Sequence, residues 1–512
     1  MTTPIFSDPT SAALSDLERL QHLREGRLGG LKRLDLSCGL SEFPPEIFAL
    51  ADSLEILNLS GNLLTSLPDD LHRLHKLRVL FCSDNRFTAL PEAIGHCAAL
   101  RMVGFKANRI ARVPPAALHD ALRWLILTDN QIETLPDSLG QCISMQKLML
   151  SGNRLQRLPE SMANCQGLEL LRIAANRFTE LPDWLLGLPR LAWLACAGNP
   201  WSDAGEAAAL AACPMPSIDW HDLQIGHKVG EGASGVIHLG TWQPRPTELP
   251  GQHDSLDASR AMTSISLPTQ LPMPVPVAVK LFKGAMTSDG LPRSEMTACI
   301  AAGAHPGLIG VKGCIVNHPD GGEGLVMAPV DAVFRNLAGP PSFESCTRDV
   351  YPEALRFDLP AALGIALAVA GATAHLHARG ILHGDVYAHN ILWNGQGEAL
   401  LGDFGAAAFF AVGTEAEKAT ASALQRIEVR AFGCLLEELL ARCDAPRAQS
   451  DALGTMSALQ HRCLLPEVGK RPLFTEIHDV LAQLDRTLEA REQQPRPATT
   501  ATPAESGQVG AT

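Results

Sequence analysis

Five short segments in the second half of the chain carry residue types that bind and orient phosphate groups. Glycines let backbone N–H groups approach a phosphate without steric clash, and a lysine on a neighbouring strand neutralises its charge. An ammonium group has to be held by a carboxylate, so Glu295, on a predicted helix, is the expected partner of Lys280. In chain order the segments are Gly230-Glu231-Gly232-Ala233-Ser234-Gly235-Val236-Ile237, Val277-Ala278-Val279-Lys280, Ser294-Glu295-Met296, His383-Gly384-Asp385-Val386-Tyr387-Ala388-His389-Asn390 and Asp403-Phe404-Gly405. Together they predict a site for phosphoryl transfer.

This order of segments resembles the eukaryotic-like protein kinase family over about residues 223–488. The resemblance implies a two-lobed α+β fold that binds ATP and Mg²⁺ and transfers the γ-phosphoryl group to a protein hydroxyl, of serine or threonine rather than tyrosine. It implies that Asp385 accepts the hydroxyl proton, that Asn390 and Asp403 hold Mg²⁺, and that Lys280 and Glu295 form an ion pair. The glycines that would cover the phosphates are Gly230, Gly232 and Gly235.

The same resemblance predicts where the adenine ring would bind. Ile237 and Ala278 would lie above the ring and Leu392 below it. Met327 would be the gatekeeper residue, and Val330 would belong to the hinge between the lobes.

Several positions depart from the family pattern. Gly384 replaces the arginine that precedes the catalytic aspartate, and Tyr387 stands where serine/threonine kinases place a lysine on the γ-phosphate. That task would fall to His389 or to no side chain. Glu428 occupies a position where the family has aspartate, and the segment from Asp403 to Glu428 is short and lacks Ala-Pro-Glu.

These departures leave a second hypothesis open: a scaffold whose kinase-like domain binds ATP as a switch and transfers nothing. They also bear on regulation, because glycine at 384 cannot pair with a phosphate on the activation loop. We therefore expect control to come from the N-terminal half docking on or releasing the lobes, and not from Thr414, Thr420 or Ser422.

The first half of the chain is a repeat array. Asparagines recur at intervals of 22 or 23 residues, each after a run that approximates L-x-x-L-x-L. This pattern is typical of leucine-rich repeats, in which the leucines fill one continuous core and the asparagine satisfies backbone groups at the turn. The asparagines are Asn62, Asn85, Asn108, Asn130, Asn153, Asn176 and Asn199. The predicted fold class is thus an α/β leucine-rich-repeat solenoid followed by a two-lobed α+β protein kinase fold.

Each repeat places a strand on the inner, concave surface of the solenoid, and the outward side chains of these strands form an apolar stripe. Because a long apolar stripe is rarely left to water, we expect a docking face for a protein partner. A register shift by one residue would turn these side chains into the core, and that alternative stays open. The predicted docking residues are Phe81, Trp124, Ile126, Met149 and Trp193.

Composition changes along the chain predict the domain boundaries. We expect an N-terminal cap helix within 1–30, repeats at 31–213, a linker at 214–222, a kinase-like domain at 223–490 with a loop insertion at about 243–275, and a disordered tail at 491–512.

Overall composition limits the partners and the compartment. The 512 residues are 46% hydrophobic, and the net charge of −13 without basic runs argues against nucleic acid as a partner. We find no signal-peptide core and no membrane span, since the apolar run at 359–374 leads into the catalytic loop. Cys97, Cys142 and Cys165 recur at one repeat position and are expected to be buried thiols. We therefore expect a cytoplasmic protein with two unidentified protein partners, a substrate and a ligand of the concave face.

Overall fold

The computed structural model describes residues 14–213, 216–232, 234–244, 273–283, 286–287, 289–444 and 449–492. Most of the predicted insertion at 243–275 and nearly all of the predicted tail at 491–512 lie outside these residues.

The first half of the chain forms one parallel sheet of eight three-residue strands in chain order, β1 to β8. The middle residue of each strand points into the core, as Leu57 and Leu80 show, while its neighbours face the concave surface. The predicted register is therefore correct and the one-residue shift is excluded. The strands are β1 Arg33–Asp35, β2 Ile56–Asn58, β3 Val79–Phe81, β4 Met102–Gly104, β5 Trp124–Ile126, β6 Lys147–Met149, β7 Leu170–Arg172 and β8 Trp193–Ala195.

The repeated asparagines satisfy backbone groups at the turn after each strand. The amide nitrogen of Asn62 donates to the carbonyls of Leu36 and Leu59, and its amide oxygen accepts the N–H of Leu40 at 2.9 Å. Similar bonds recur along the array up to Asn199, so the asparagines join each repeat to its neighbour. The predicted leucine-rich-repeat solenoid is confirmed.

Short helical turns cover the convex side of the array, and two longer helices close its ends. Three of these turns are followed by Cys97, Cys142 and Cys165, which are buried and unpaired as predicted. The helices are α1 Asp16–Arg24 and α3 Pro200–Ala212 at the two ends and α2 Asp183–Leu186 between β7 and β8; the other turns, all 3₁₀, are Pro45–Leu50, Leu71–Arg73, Glu92–His96, Pro115–Ala117, Asp137–Gln141 and Glu160–Asn164.

The N-terminal lobe of the second half is a six-stranded sheet with one helix. The strands are β9 Ser217–Asp219, β10 Leu223–Glu231, β11 Gly235–Trp242, β12 Val275–Phe282, β13 Val311–Val316 and β14 Gly324–Met327, in the order β10-β11-β12-β14-β13-β9, and the helix is α4 Pro292–Ala302. The predicted linker at 214–222 is thus wrong in part, because it supplies strand β9. Ile218 is buried in the lobe and pairs with Ile315, which explains why this segment joins the sheet.

The C-terminal lobe is mainly helical. Its helices are α5 Leu359–Ala378, α6 Glu415–Leu440, α7 Ser450–Cys463 and α8 Phe474–Glu492, and its strands are β15 Arg335–Asn336, β16 Ile381–Leu382, β17 Ile391–Trp393, β18 Ala399–Leu401 and β19 Ala408–Phe409. Its 3₁₀ turns lie at Ala388–Asn390 and Val468–Lys470, whereas the 3₁₀ turn Trp220–Asp222 joins β9 to β10 in the N-terminal lobe. Within the described residues, α5 is the one helix long and apolar enough to cross a membrane, and 61% of its apolar window is buried inside the protein.

The two halves share their hydrophobic interior. Leu382, Phe410, Leu424 and Ile427 of the C-terminal lobe belong to the core of the repeats. Conversely, Trp193, with Leu170, belongs to the core of the C-terminal lobe. The buried Arg471 continues this interior, because it donates to the carbonyl oxygen of Pro189 at 2.7 Å. The last repeats and the C-terminal lobe are therefore packed as one unit.

Candidate active site

The glycine segment forms a β-hairpin between β10 and β11. Gly230 pairs with Ile237, and the N–H of Gly232 donates to the carbonyl of Gly235 at 2.9 Å. A side chain at position 235 would meet the carbonyl oxygen of Leu281 at 2.5 Å, so this position requires glycine. Among the described residues, no atom lies within 4 Å of a side chain built at Gly232.

The expected ion pair between Lys280 and Glu295 is present. Lys280 lies on the central strand β12, and Glu295 lies in the first turn of α4, where both side chains are buried. Burial alone would lower the pKa of Lys280, but the carboxylates of Glu295 and Asp403 outweigh it and raise the pKa. The lysine therefore stays charged and is held where it can neutralise phosphates.

The catalytic loop is held by a buried carboxylate from α6. Glu428 accepts the N–H groups of His383 and Gly384, the latter at 2.6 Å, and it contacts the ring nitrogen Nε2 of His377 at 2.7 Å. Burial would raise the pKa of Glu428, but the histidine and the N–H groups lower it. Glu428 thus holds the catalytic loop from the position where the family has aspartate. The structure accommodates the additional methylene group of the glutamate.

Within this loop, Asp385 and Asn390 contact each other directly. The amide nitrogen of Asn390 donates to the Oδ2 atom of Asp385 at 3.0 Å and to its carbonyl oxygen at 3.0 Å. This geometry leaves the amide oxygen of Asn390 as an oxygen ligand. Asp403 is exposed, adopts a left-handed φ of 54°, and accepts the N–H of Gly405 at 3.2 Å. Oxygen ligands from one carboxylate and one amide fit Mg²⁺, which keeps waters and phosphates as its other ligands.

The predicted adenine-binding residues lie on neighbouring elements. Ala278 on β12 pairs with Met327 at the end of β14, and Ile237 on β11 pairs with Lys280. Leu392 lies on β17 in the other lobe, and Val330 follows β14. Their role toward a nucleotide stays a prediction.

The structure adds to this site a residue that the sequence interpretation missed. Arg172, the last residue of β7 on the concave face, reaches the catalytic loop and donates to Oδ1 of Asp385 at 3.0 Å. Its other terminal nitrogen forms an ion pair with Asp289, which precedes α4. Burial would raise the pKa of Asp385, but the charge of Arg172 is the largest of the effects that lower it. Arg172 occupies an outward strand position, which the repeat period shows. It was not predicted because the stripe of docking residues was restricted to apolar types.

Trp193 makes the second contact between the repeats and the catalytic loop. Its ring stacks on that of Tyr387, and its indole N–H donates to the carbonyl of Val386 at 3.1 Å. The prediction that Trp193 awaits a separate partner is therefore wrong, because this chain's own catalytic loop covers it. His389, proposed as a substitute for the missing lysine, is held at 2.7 Å by Asp349.

The other predicted docking residues point outward and are half-buried. The indole nitrogen of Trp124 contacts the sulfur of Met149 at 3.4 Å, and the ammonium of Lys147 lies 4.2 Å from the centre of the indole ring. Phe81 lies beside Gly104, where a side chain would contact both Phe81 and Ile126. Burial lowers the pKa of Lys147 to about 8. Met149 packs against the core of the C-terminal lobe, so this chain covers it as it covers Trp193. For Phe81, Trp124 and Ile126 a role in partner binding stays a prediction.

Gly384 lies where the repeats and the catalytic loop are in closest contact. Its φ is 78°, and a side chain there would meet the carbonyl oxygens of Ala406 at 2.6 Å and Leu194 at 2.7 Å. A side chain at this position would therefore clash both with the C-terminal lobe itself and with the repeats. The departure from the family pattern thus has a steric cause.

Comparison with known proteins supports both halves of the fold. The sequence model of the family "Protein tyrosine and serine/threonine kinase" matches residues 223–483. The "Leucine rich repeat" model matches residues 29–87 and 143–200.

Two individual proteins share limited similarity with the chain. The serine/threonine-protein kinase US3 homolog of Bovine herpesvirus 1.2 (strain ST) is 51% identical over 49 residues, a stretch that covers 10% of this chain and 10% of that protein. A leucine-rich-repeat protein of Leptospira interrogans is 25% identical and matches with a TM-score of 0.31, over 36% of this chain and 52% of that one.

Proposed function

The chain belongs to the protein tyrosine and serine/threonine kinase family, and we propose that it transfers the γ-phosphoryl group of ATP to serine or threonine hydroxyls of a protein. The observation that carries the proposal is the Lys280–Glu295 ion pair, formed in the same structure in which Asn390 holds Asp385. Phosphoryl transfer needs charge neutralisation and orientation more than covalent chemistry from the protein. Both are provided by side chains already in place.

Each residue of the site has a distinct task in this proposal. Lys280 neutralises the α- and β-phosphates, and the hairpin at Gly230 and Gly232 covers them. Asp385 accepts the proton of the acceptor hydroxyl and orients its oxygen toward the γ-phosphorus. Asn390 and Asp403 would hold Mg²⁺, which neutralises the phosphate charge that develops during transfer.

The decisive test is the transfer of labelled γ-phosphate from Mg·ATP to the protein itself or to a mixture of serine, threonine and tyrosine peptides. Wild type should label serine or threonine, whereas Asp385→Asn should lose transfer and still bind Mg·ATP. Equal transfer by wild type and Asp385→Asn would exclude this assignment.

A second candidate function is an ATP-binding scaffold that transfers nothing. The burial of Asp385, which is 7% exposed beneath the concave face, favours it. Wild type that binds Mg·ATP but labels no acceptor would support this alternative. Under either function the solenoid is an interaction domain, and we propose a cytoplasmic location because thirteen free cysteines suit a reducing compartment.

A further inference from the structure

We infer that the repeat domain supplies a residue of the phosphoryl-transfer site: Arg172 is a positioning residue that orients Asp385 toward the acceptor hydroxyl. The inference rests on the proposed function and deepens it. It makes the leucine-rich repeats a structural part of the active site, in addition to any role in binding a partner.

Both carboxylate oxygens of Asp385 accept hydrogen bonds from side chains. One carboxylate oxygen accepts from Arg172 at 3.0 Å and the other from Asn390 at 3.0 Å, so the carboxylate is fixed from two sides. A carboxylate oxygen has two lone pairs, so each keeps one for a further hydrogen bond. The acceptor hydroxyl can therefore still bind Asp385, in an orientation that the two donors determine.

The catalytic loop itself does not provide this donor. The position two residues after Asp385 holds Tyr387, whose ring is buried beneath Trp193, and the ring of His389 is held by Asp349. The charged side chain that the structure places on Asp385 comes from β7 of the repeats.

Arg172 also joins the two lobes. Asp289 lies in the segment that leads into α4, the helix that carries Glu295, and the C-terminal lobe carries Asp385. One guanidinium group contacts both carboxylates, and its planar fork suits such a two-sided contact. Arg172 therefore links the segment that leads into α4 to the catalytic aspartate, which favours the alignment that transfer requires.

The repeats are attached to the C-terminal lobe through buried side chains. Trp193 is 2% exposed within the core of the C-terminal lobe, and Leu424 and Ile427 of α6 lie within the core of the repeats. Separation would expose these side chains and leave Arg471 without the carbonyl of Pro189. Release of the repeats would therefore be costly, and in the docked structure Arg172 stays in the site. Control by docking or release of the repeats stays a prediction.

Arg172→Gln and Arg172→Lys in the full chain test the inference, with Arg123→Gln as the matched control. Arg123 lies on the same array and donates to Gln146 within it, away from Asp385. The measurements are kcat and KM for Mg·ATP in the transfer assay, with the melting temperature of each variant. We expect Arg172→Gln to lower kcat about 100-fold with KM for ATP nearly unchanged, because small displacements of aligned groups cost about that factor. Arg172→Lys should retain part of kcat, and Arg123→Gln should match wild type.

Wild-type kcat in Arg172→Gln would overturn the inference. A rise in kcat would also overturn it, because Arg172 would then block the acceptor. If Arg172→Gln melts well below wild type, the lysine variant decides, and wild-type kcat in a stable Arg172→Lys would count against the inference. Wild type that binds Mg·ATP but transfers nothing would instead refute the proposed function, and the inference would fall with it.

Discussion

The indole ring of Trp193 lies flat on the phenol ring of Tyr387, with the ring centres 4.2 Å apart and the planes 6° from parallel. One residue belongs to the last strand of the solenoid and the other to the catalytic loop. Because the indole N–H also donates to the carbonyl of Val386, the contact fixes the loop backbone as well as the ring. The repeats thus help Glu428 to hold the loop that carries Asp385.

Trp193→Ala should destabilise the whole chain. Removing a buried aromatic side chain from a core costs about 3–5 kcal/mol, and here the indole hydrogen bond is lost too. Phe81→Ala is the control, because Phe81 lies on the same concave face but is only half-buried. Thermal unfolding should show a clearly larger loss for Trp193→Ala. Equal losses would mean that the catalytic loop does not hold the repeats.

Lys280→Met should abolish transfer and weaken binding of Mg·ATP, because the phosphates lose their cation and Glu295 is left buried without its partner. The expected fall in kcat/KM is at least about 100-fold. Lys312→Met, on strand β13 between β14 and β9, should behave like wild type. Binding can be followed by titration calorimetry and transfer by labelled phosphate. Full transfer by Lys280→Met would exclude its assigned role.

The sequence predicted most of this site because its motifs are local. Lys280, Glu295, Asp385 and Asn390 each lie in a segment whose residue types state the chemistry. Arg172 was missed because its partner lies in another domain, and no spacing along the chain shows that β7 faces the catalytic loop. The solenoid fold was predicted for the same reason, because the period of the repeats can be read directly from the sequence.

The boundary between the domains could not be predicted. Strand β9 pairs with β13, and Ile218 is buried there. This burial depends on the folded lobe and not on the local sequence. The segment after β19 was expected to be a short activation loop, but most of it is the first part of α6. Its alanines favour a helix, and Thr414 begins it as the N-cap.

The triple variant Thr414→Ala, Thr420→Ala, Ser422→Ala should retain most of the transfer activity. All three residues lie at the start of α6 or within it: Thr414 caps the helix in a box with Glu417, and Ser422 contacts Arg426. Loss of the cap should cost about 1 kcal/mol of stability. Transfer assays before and after phosphatase treatment check this. Silencing by both the triple change and phosphatase would favour control by phosphorylation.

Glu428→Gln should lower stability in a pH-dependent way. The pKa of Glu428 is lowered in the folded state, so the charged carboxylate stabilises the fold fully above its ordinary value of 4.5 and ceases to do so as the pH falls through the lower folded value. Near pH 7 we expect a loss of roughly 3 kcal/mol, as for other buried pairs. Glu467→Gln, in an exposed pair with Lys470, should cost no more than about 0.5 kcal/mol.

Urea unfolding at a series of pH values measures this effect. The difference between wild type and Glu428→Gln should be constant from pH 7 to about pH 5 and then narrow on further acidification. A difference that widens toward acid would show that Glu428 is protonated in the folded protein.

Gly384→Ala should lower stability and activity far more than Gly395→Ala, although both replacements strain the backbone equally. Gly384 and Gly395 both have left-handed φ values, 78° and 88°, so alanine is strained at either position by about 1–2 kcal/mol. They differ in their surroundings. A methyl group at 384 would meet the carbonyl oxygens of Ala406 at 2.6 Å and Leu194 at 2.7 Å, whereas no atom of the described residues lies within 4 Å of one at 395. Gly395→Ala should therefore be destabilised only by the backbone strain, and its transfer activity should be unchanged.

Gly384→Ala adds clashes with Ala406 of its own lobe and with Leu194 of the repeats. The catalytic loop or β8 has to move, which disturbs the contact of Trp193 with Tyr387 and of Arg172 with Asp385. We expect a lower melting temperature and a fall in kcat for Gly384→Ala, with Gly384→Arg worse in both. Melting curves and transfer assays on the three variants separate strain from clash. If Gly384→Ala and Gly395→Ala lose the same amount of stability, the close contacts of Gly384 with Ala406 and Leu194 do not exist in solution.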